Sequence, residues 1–261
     1  MTQTTYALVT GASHGLGKYF ARALAARRHH LVLVARNNDP LAALADDLKK
    51  THAILVEPLS LDLAGPEAGT RLAEQLETLG LKIDLLINNA GFGDQGEFVQ
   101  LSLPHQLNMI NLQNATVVEL THALLPAMIR ERHGGIINVS SMAGFQPVPY
   151  ATIYSATKSF LTTFSLALEA EVHRYGIRVV TLCPGRLRAD PEDPDSEERK
   201  KVPGGEQSHD EVVHEALETF DHGGGLVIPG VANKFAAFAE RFVPRGKIAR
   251  LVAKISRRQA H

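Results

Sequence analysis

Tyr154 and Lys158 stand four residues apart in the stretch Tyr154-Ser155-Ala156-Thr157-Lys158. On a helix that spacing puts both side chains on one face and within reach of each other. The surrounding apolar residues predict such a helix: Ile153, Ala156, Phe160, Leu161, Phe164 and Leu168 recur at helical spacing, and Gly176 supplies a stop. A free phenol has a pKa of about 10 and is a poor acid at neutral pH. A neighbouring ammonium favours the phenolate, which suits the phenol for proton exchange with an alcohol or ketone oxygen. Alone, a Tyr-x-x-x-Lys pattern more often marks an unrelated surface pair. None of Tyr6, Tyr19, Tyr150 and Tyr175 has a Lys or Arg four residues on.

A second chemical signal opens the chain. Tyr6-Ala7-Leu8-Val9-Thr10 predicts a short strand, and Gly11-Ala12-Ser13-His14-Gly15-Leu16-Gly17 follows it, ahead of a helical pattern through Phe20, Leu24 and Ala25. Strand, glycine-rich turn and helix together expose helix N-terminal amides to a pyrophosphate. Glycine is needed where backbone meets phosphate and where helix packs tightly on strand. The spacing is Gly-x-x-x-Gly-x-Gly, not the commoner Gly-x-Gly-x-x-Gly. The next strand, Leu31 to Ala35, ends at Arg36. An acidic residue there suits the ribose 2′-hydroxyl of NAD, whereas a guanidinium suits a 2′-phosphate. NADP(H) is therefore favoured over NAD(H).

Further stretches carry a resemblance: Leu61-Asp62-Leu63, Asn88-Asn89-Ala90-Gly91 after the strand 84–87, Asn111 in a helical segment, and Ile136-Ile137-Asn138-Val139-Ser140-Ser141. With the glycine turn and the Tyr154/Lys158 pair, the chain resembles the short-chain dehydrogenase/reductase family, in its non-extended branch. The likeness runs in order from Tyr6 to Gly185 of the 261 residues. It implies that Ser141, thirteen residues before Tyr154, holds the substrate oxygen while Tyr154 gives or takes the proton. Lys158 would bind the nicotinamide ribose and lower the tyrosine pKa, and Asn111 would keep a water in the proton relay. Asp62 would contact the adenine, and Asn89 and Gly91 the adenosine side. The implied cofactor cradle also takes in Gly11, Ser13, His14, Gly15, Leu16, Gly17, Leu63, Ala90, Pro184 and Gly185. Two positions depart from the family pattern. His14 stands where NADP(H)-preferring relatives often carry a permanently basic residue, so its charge depends on pH. Ala189 stands where many family members carry a threonine that touches the cofactor, so either Arg186 or Arg188 compensates or the cofactor is held less tightly.

The elements that must position these groups read as one α/β domain over residues 1–261. The resemblance implies a doubly wound Rossmann fold, three layers deep, with a mostly parallel sheet of about seven strands in the order 3-2-1-4-5-6-7. A hydrophobic fraction of 44% and a charged fraction of 21% are ordinary for a globular protein. The net charge of -1 gives no bulk attraction to nucleic acid or acidic lipid. The single cysteine, Cys183, excludes an internal disulfide and sits in an apolar run. With no signal-like start and no long apolar run, a cytoplasmic location is expected. His29-His30 would not face one ligand together, so no metal is expected.

The segment about 186–210 is rich in Pro, Asp, Glu and Lys. It reads as a loop, and the resemblance makes it the cover of the substrate. From Arg241 to Arg258 every charge is basic, while Ile248, Leu251, Val252 and Ile255 form one apolar stripe. Packing on its own domain or on a partner subunit is favoured there over a membrane surface. The partners expected are a small ketone, alcohol or acyl substrate and further copies of the chain, as a dimer or tetramer. The function expected is NADP(H)-dependent interconversion of a carbonyl and a secondary alcohol. The alternative is a non-catalytic Rossmann module that senses cofactor and binds a protein or membrane.

Overall fold

A computed structural model of the chain describes residues 4–190 and 206–257. Most of the segment expected to cover the substrate, 191–205, lies outside the described residues.

Seven strands form one sheet: β1 (Thr5–Thr10), β2 (His30–Ala35), β3 (Val56–Ser60), β4 (Lys82–Asn88), β5 (Gly135–Val139), β6 (Arg178–Leu182) and β7 (Gly225–Val227). Their order is β3-β2-β1-β4-β5-β6-β7, and every neighbouring pair is parallel. A parallel sheet covered on both faces needs strands apolar on both sides. The strands β1, β2 and β5 satisfy this with runs such as Ala7-Leu8-Val9 and Leu31 to Val34, all fully buried. Alternation then sends side chains to two cores. Ala7, Val9, Leu31, Leu33 and Ile87 pack on one face, with Phe20 and Leu24 of α1 (Gly15–Ala26), Leu41 and Leu48 of α2 (Asn38–His52), and Val212 and Phe220 of α7 (His209–Asp221). Leu8, Val32, Val34 and Leu86 pack on the other. They meet Leu72 of α3 (Ala68–Thr78), Leu120 of α5 (Thr116–Glu131) and Leu168 of α6 (Thr152–Val172). The result is a three-layer, doubly wound Rossmann-like fold.

Helix boundaries follow local chemistry. Helix α6 passes into a single 3-10 turn, His173–Tyr175, and stops at Gly176, whose φ of 77° is one that glycine adopts without strain. Helix α7 begins at His209 behind a reciprocal cap formed by Ser208 and Glu211. The least expected element joins α4 (Leu103–Ile110) to α5: Asn111–Ala115 is a π-helical turn. Beyond β7 come α8 (Val231–Ala239) and α9 (Arg245–Arg257). The apolar stripe of α9 is covered only in part by its own domain. Leu251 is 62% exposed, Ile248 and Val252 are only half-buried, and none of the described side chains of α9 is buried. Among the described residues no helix is long and apolar enough to cross a membrane.

Candidate active site

All strands run the same way, so the segments leaving β1, β4, β5 and β6 gather along one edge of the sheet. That edge includes the switch point beside β1 where the strand order reverses direction. Tyr154, Lys158 and Ser141 lie there. The first turns of α6 carry Tyr154 and Lys158, as the four-residue spacing predicts. Lys158 is buried, and its Nζ donates to the carbonyl of Val139 at the end of β5 over 2.9 Å. The same ammonium lies 5.7 Å from the centre of the Tyr154 ring. Burial lowers its pKa from 10.5 to about 8, the low-dielectric surroundings disfavouring the charged form. The Tyr154 ring in turn borders Gly93, where an added Cβ would lie 3.5 Å from the ring.

The two serines after β5 have different surroundings. The Ser140 hydroxyl is buried and donates to the Lys158 carbonyl over 2.9 Å, with Thr162 Oγ1 at 2.7 Å. Ser141 starts a 3-10 turn (Met142–Gly144), and its Oγ accepts the Ala143 N–H over 3.1 Å. That turn is strapped to α6, because Ser159 Oγ donates to the Gly144 carbonyl over 2.7 Å. A ladder of buried amides fixes the same helix to the sheet from below. Asn88 of β4 donates to Asn138 of β5, and Asn138 donates to Ser165 of α6, each over 2.8 Å.

Asn111 opens the π turn, and its backbone carbonyl accepts the Thr116 N–H that closes the wide ring. Such turns shift the side chains after them by one position and often sit at functional sites. Here the shift lets Asn114 donate to the Thr157 carbonyl of α6 over 3.1 Å, while Gln113 donates to the Phe92 carbonyl over 2.8 Å. Gln113 also lines Gly91, where an added Cβ would come within 3.2 Å of its Oε1. Sequence reasoning missed Gln113 and Asn114. The available signal was the polar run Asn111-Leu112-Gln113-Asn114 inside an otherwise apolar helical pattern.

The cofactor cradle is built around the glycine turn. Gly11 has φ 67°, and a Cβ on Gly17 would fall 2.1 Å from the Gly11 carbonyl oxygen, so this pair lets α1 lie directly on its strand. Asn89 Nδ2 donates to the carbonyls of Thr10 (2.9 Å) and Gly11 (3.2 Å). Thr10 Oγ1 accepts the N–H groups of Asn89 and Ala90, each over 3.0 Å. Asn89 and Ala90 therefore clamp the turn to the segment after β4. His14 is the N-cap of α1 but supplies no side-chain cap, and its ring nitrogen instead lies 2.9 Å from Ser13 Oγ. Helix α1 also has no acidic residue in its first turn, and an added Cβ on Gly15 would meet nothing within 4 Å. Uncapped amides beside open space are what a pyrophosphate needs. Leu16 is buried in the core beneath them.

Arg36 follows β2 with its backbone fixed by Ser60 Oγ, which donates to the Arg36 carbonyl over 2.9 Å, and its side chain exposed. Asp62 is exposed too and accepts the Ala64 N–H over 3.0 Å. Leu63 is a core residue whose carbonyl accepts from Thr116 Oγ1 over 2.8 Å. After β6, the Pro184 carbonyl accepts the Met142 N–H and the Gly185 N–H donates to Gln207 Oε1 over 2.8 Å. These bonds carry the far wall of the cradle. Cys183 is buried in the core, and burial pushes its thiol pKa up.

Residues 5–200 match the family model described as short chain dehydrogenase. The chain is 33% identical over 183 residues to the human very-long-chain 3-oxoacyl-CoA reductase, a match covering 69% of this chain and 58% of that protein. It is 34% identical over 178 residues to the ketoacyl reductase HetN of Nostoc sp., covering 68% and 62%. The chain thus spans about three fifths of the length of these relatives. Among solved structures it resembles a short-chain dehydrogenase from Sphingobium yanoikuyae in complex with NADPH (TM-score 0.79, 33% identity, 90% and 92% of the two chains). It also resembles the bulky-bulky ketone specific alcohol dehydrogenase from Comamonas testosteroni (TM-score 0.78, 30% identity, 92% of each chain). Fold, glycine turn and the Tyr154/Lys158 helix agree with these likenesses, and the chain belongs to the short chain dehydrogenases.

Proposed function

We propose that the chain is an NADP(H)-dependent carbonyl reductase with Tyr154 as the proton donor. The observation that carries this reading is the buried Lys158 ammonium, held on the Val139 carbonyl at 5.7 Å from the Tyr154 ring. A core has no packing reason to bury a cation there, whereas a phenol that must release a proton gains from one. Ser141 already accepts from Ala143, so its own O–H serves to hold the substrate oxygen. Tyr154 gives its proton to that oxygen as the carbonyl becomes an alcohol, and the Lys158 charge stabilises the phenolate left behind. Asn111, fixed at the head of the π turn, orients the relay that returns a proton to Tyr154.

The uncapped start of α1 would hold the pyrophosphate, Asp62 the adenine side, and Arg36 the 2′-phosphate through paired hydrogen bonds. Bound NADPH supplies the hydride, which is the part of the chemistry no side chain can supply. Likeness to a 3-oxoacyl-CoA reductase and to a bulky-bulky ketone specific alcohol dehydrogenase supports a 3-oxoacyl thioester or bulky ketone as substrate class. The test is oxidation of NADPH against a panel of 3-oxoacyl thioesters and bulky ketones, repeated with NADH. Turnover with a panel member, faster with NADPH, is expected. Tight NADPH binding with no turnover on any member would instead favour the cofactor-sensing module.

A further inference from the structure

We infer that the stretch from Val231 to Lys254 is a docking surface for an anionic lipid membrane. Helix α8 faces two ways. On one side Ala237 is buried, and Asn233 lies against the turn after β6, its Nδ2 donating to the Pro229 carbonyl over 2.9 Å and its amide filling the space where a Cβ on Gly185 would go. On the other, Val231, Phe235, Phe238 and Phe242 follow at steps of four, three and four, which is one side of a helix. All four are exposed, Phe235 by 71%, Phe238 by 56% and Phe242 by 73%. Phe238 and Phe242 meet edge to face, with ring centres 5.3 Å apart. Helix α9 then adds the stripe of exposed Leu251 and half-buried Ile248 and Val252, accompanied by Arg245, Lys247, Arg250 and Lys254.

Charge decides what covers these faces. Residues 1–240 hold all 28 acidic residues but only 20 of the 27 Lys and Arg, a charge of -8, while 241–261 carry seven cations and no acid. The near-neutral total therefore hides a strong segregation. A second copy docked by the same surface would bring cations against cations across a two-fold axis. An anionic bilayer neutralises them instead, accepts the phenylalanine rings and the aliphatic stripe at its boundary, and repels the acidic body so that it stays in water. Because α8 leans on the Gly185 turn, the contact lies beside the edge of the sheet that bears Tyr154.

Sedimentation of the full chain with vesicles tests this. Binding to phosphatidylcholine vesicles containing phosphatidylserine is expected, with none to pure phosphatidylcholine, and high salt should release it. The double variant Lys247→Gln/Arg250→Gln should weaken binding roughly thirtyfold, two cations' worth at an anionic surface. Phe235→Ser/Phe238→Ser should weaken it while leaving the melting temperature and reduction of a soluble ketone unchanged. Binding to neither vesicle, or equal and salt-independent binding to both, overturns the inference. So does a phenylalanine variant that only converts an oligomer to a monomer, which would make the occupant a second copy.

Discussion

Helices α6 and α9 both carry an apolar stripe at helical spacing, yet the two meet different surroundings. On α6, Leu161, Leu168 and Val172 are buried. On α9, Leu251 is exposed, and Ile248 and Val252 are only half-buried. The hydrophobic effect rewards covering either stripe, so periodicity alone does not separate them. Polar bonds do. Three residues from two separate elements grip α6: Ser140 and Asn138 from the β5 segment, and Asn114 from the π turn. An unpaired buried amide or hydroxyl is costly, so these bonds admit one placement of α6 and aim Tyr154 with it. Helix α9 shows no such bonds among its described residues, and every charged residue on it is basic. One helix is built to hold a group still, the other to meet something outside the domain.

The largest test of this contrast is Tyr154→Phe. The ring keeps its place against Gly93 and only the proton donor is lost, so turnover should fall about 10²- to 10⁴-fold with NADPH binding retained. Steady-state kinetics beside a binding titration checks it. Arg36→Asp probes an exposed cation assigned to cofactor and not to lipid. The ratio of NADPH to NADH dissociation constants should shift toward NADH by a factor equivalent to roughly 2–4 kcal/mol, with vesicle binding untouched. An unchanged ratio would remove Arg36 from the cofactor site.

Lys158→Met separates the charge of α6 from its packing. The lysine pKa falls from 10.5 in the unfolded chain to about 8 in the fold, so between those values the unfolded chain binds more protons and wild-type stability rises with pH. The variant has no such dependence. Its unfolding free energy, measured by denaturant titration, should lose ground to wild type by about 1.4 kcal/mol per pH unit across that window. A flat difference would mean that the ammonium is not buried. Smallest of all, Phe235→Ser should change stability by less than about 0.5 kcal/mol, as an exposed side chain with little to lose. A larger loss would show that α8 packs inside a protein interface.

The glycine turn, the apolar strands and the Tyr154/Lys158 face were legible because each rests on local pattern: apolar runs, turn chemistry and a four-residue step; the parallel order came only with the family resemblance. Three features were not. The π turn adds one residue per ring and leaves no mark in 3.6-residue periodicity, so the polar run Asn111 to Asn114 marked a place without showing which bonds Gln113 and Asn114 make. Ser140 and Ser141 are the same residue type, and no local pattern separates them; only the family resemblance, thirteen residues before Tyr154, singles out Ser141. The stripe of α9 announced a helix correctly, but which surface would cover it depended on the exposed phenylalanines of α8, whose outward side is set by where Asn233 and Ala237 dock.

The most direct measurement uses NADPH deuterated at the transferable position, with a bulky ketone or 3-oxoacyl thioester and either wild type or Tyr154→Phe. Wild type should place deuterium on the new carbinol carbon, while the variant binds the labelled cofactor and yields almost no product. Deuterated alcohol at a near-normal rate from Tyr154→Phe, or none from wild type on any carbonyl tested, would contradict a reductase that works through Tyr154.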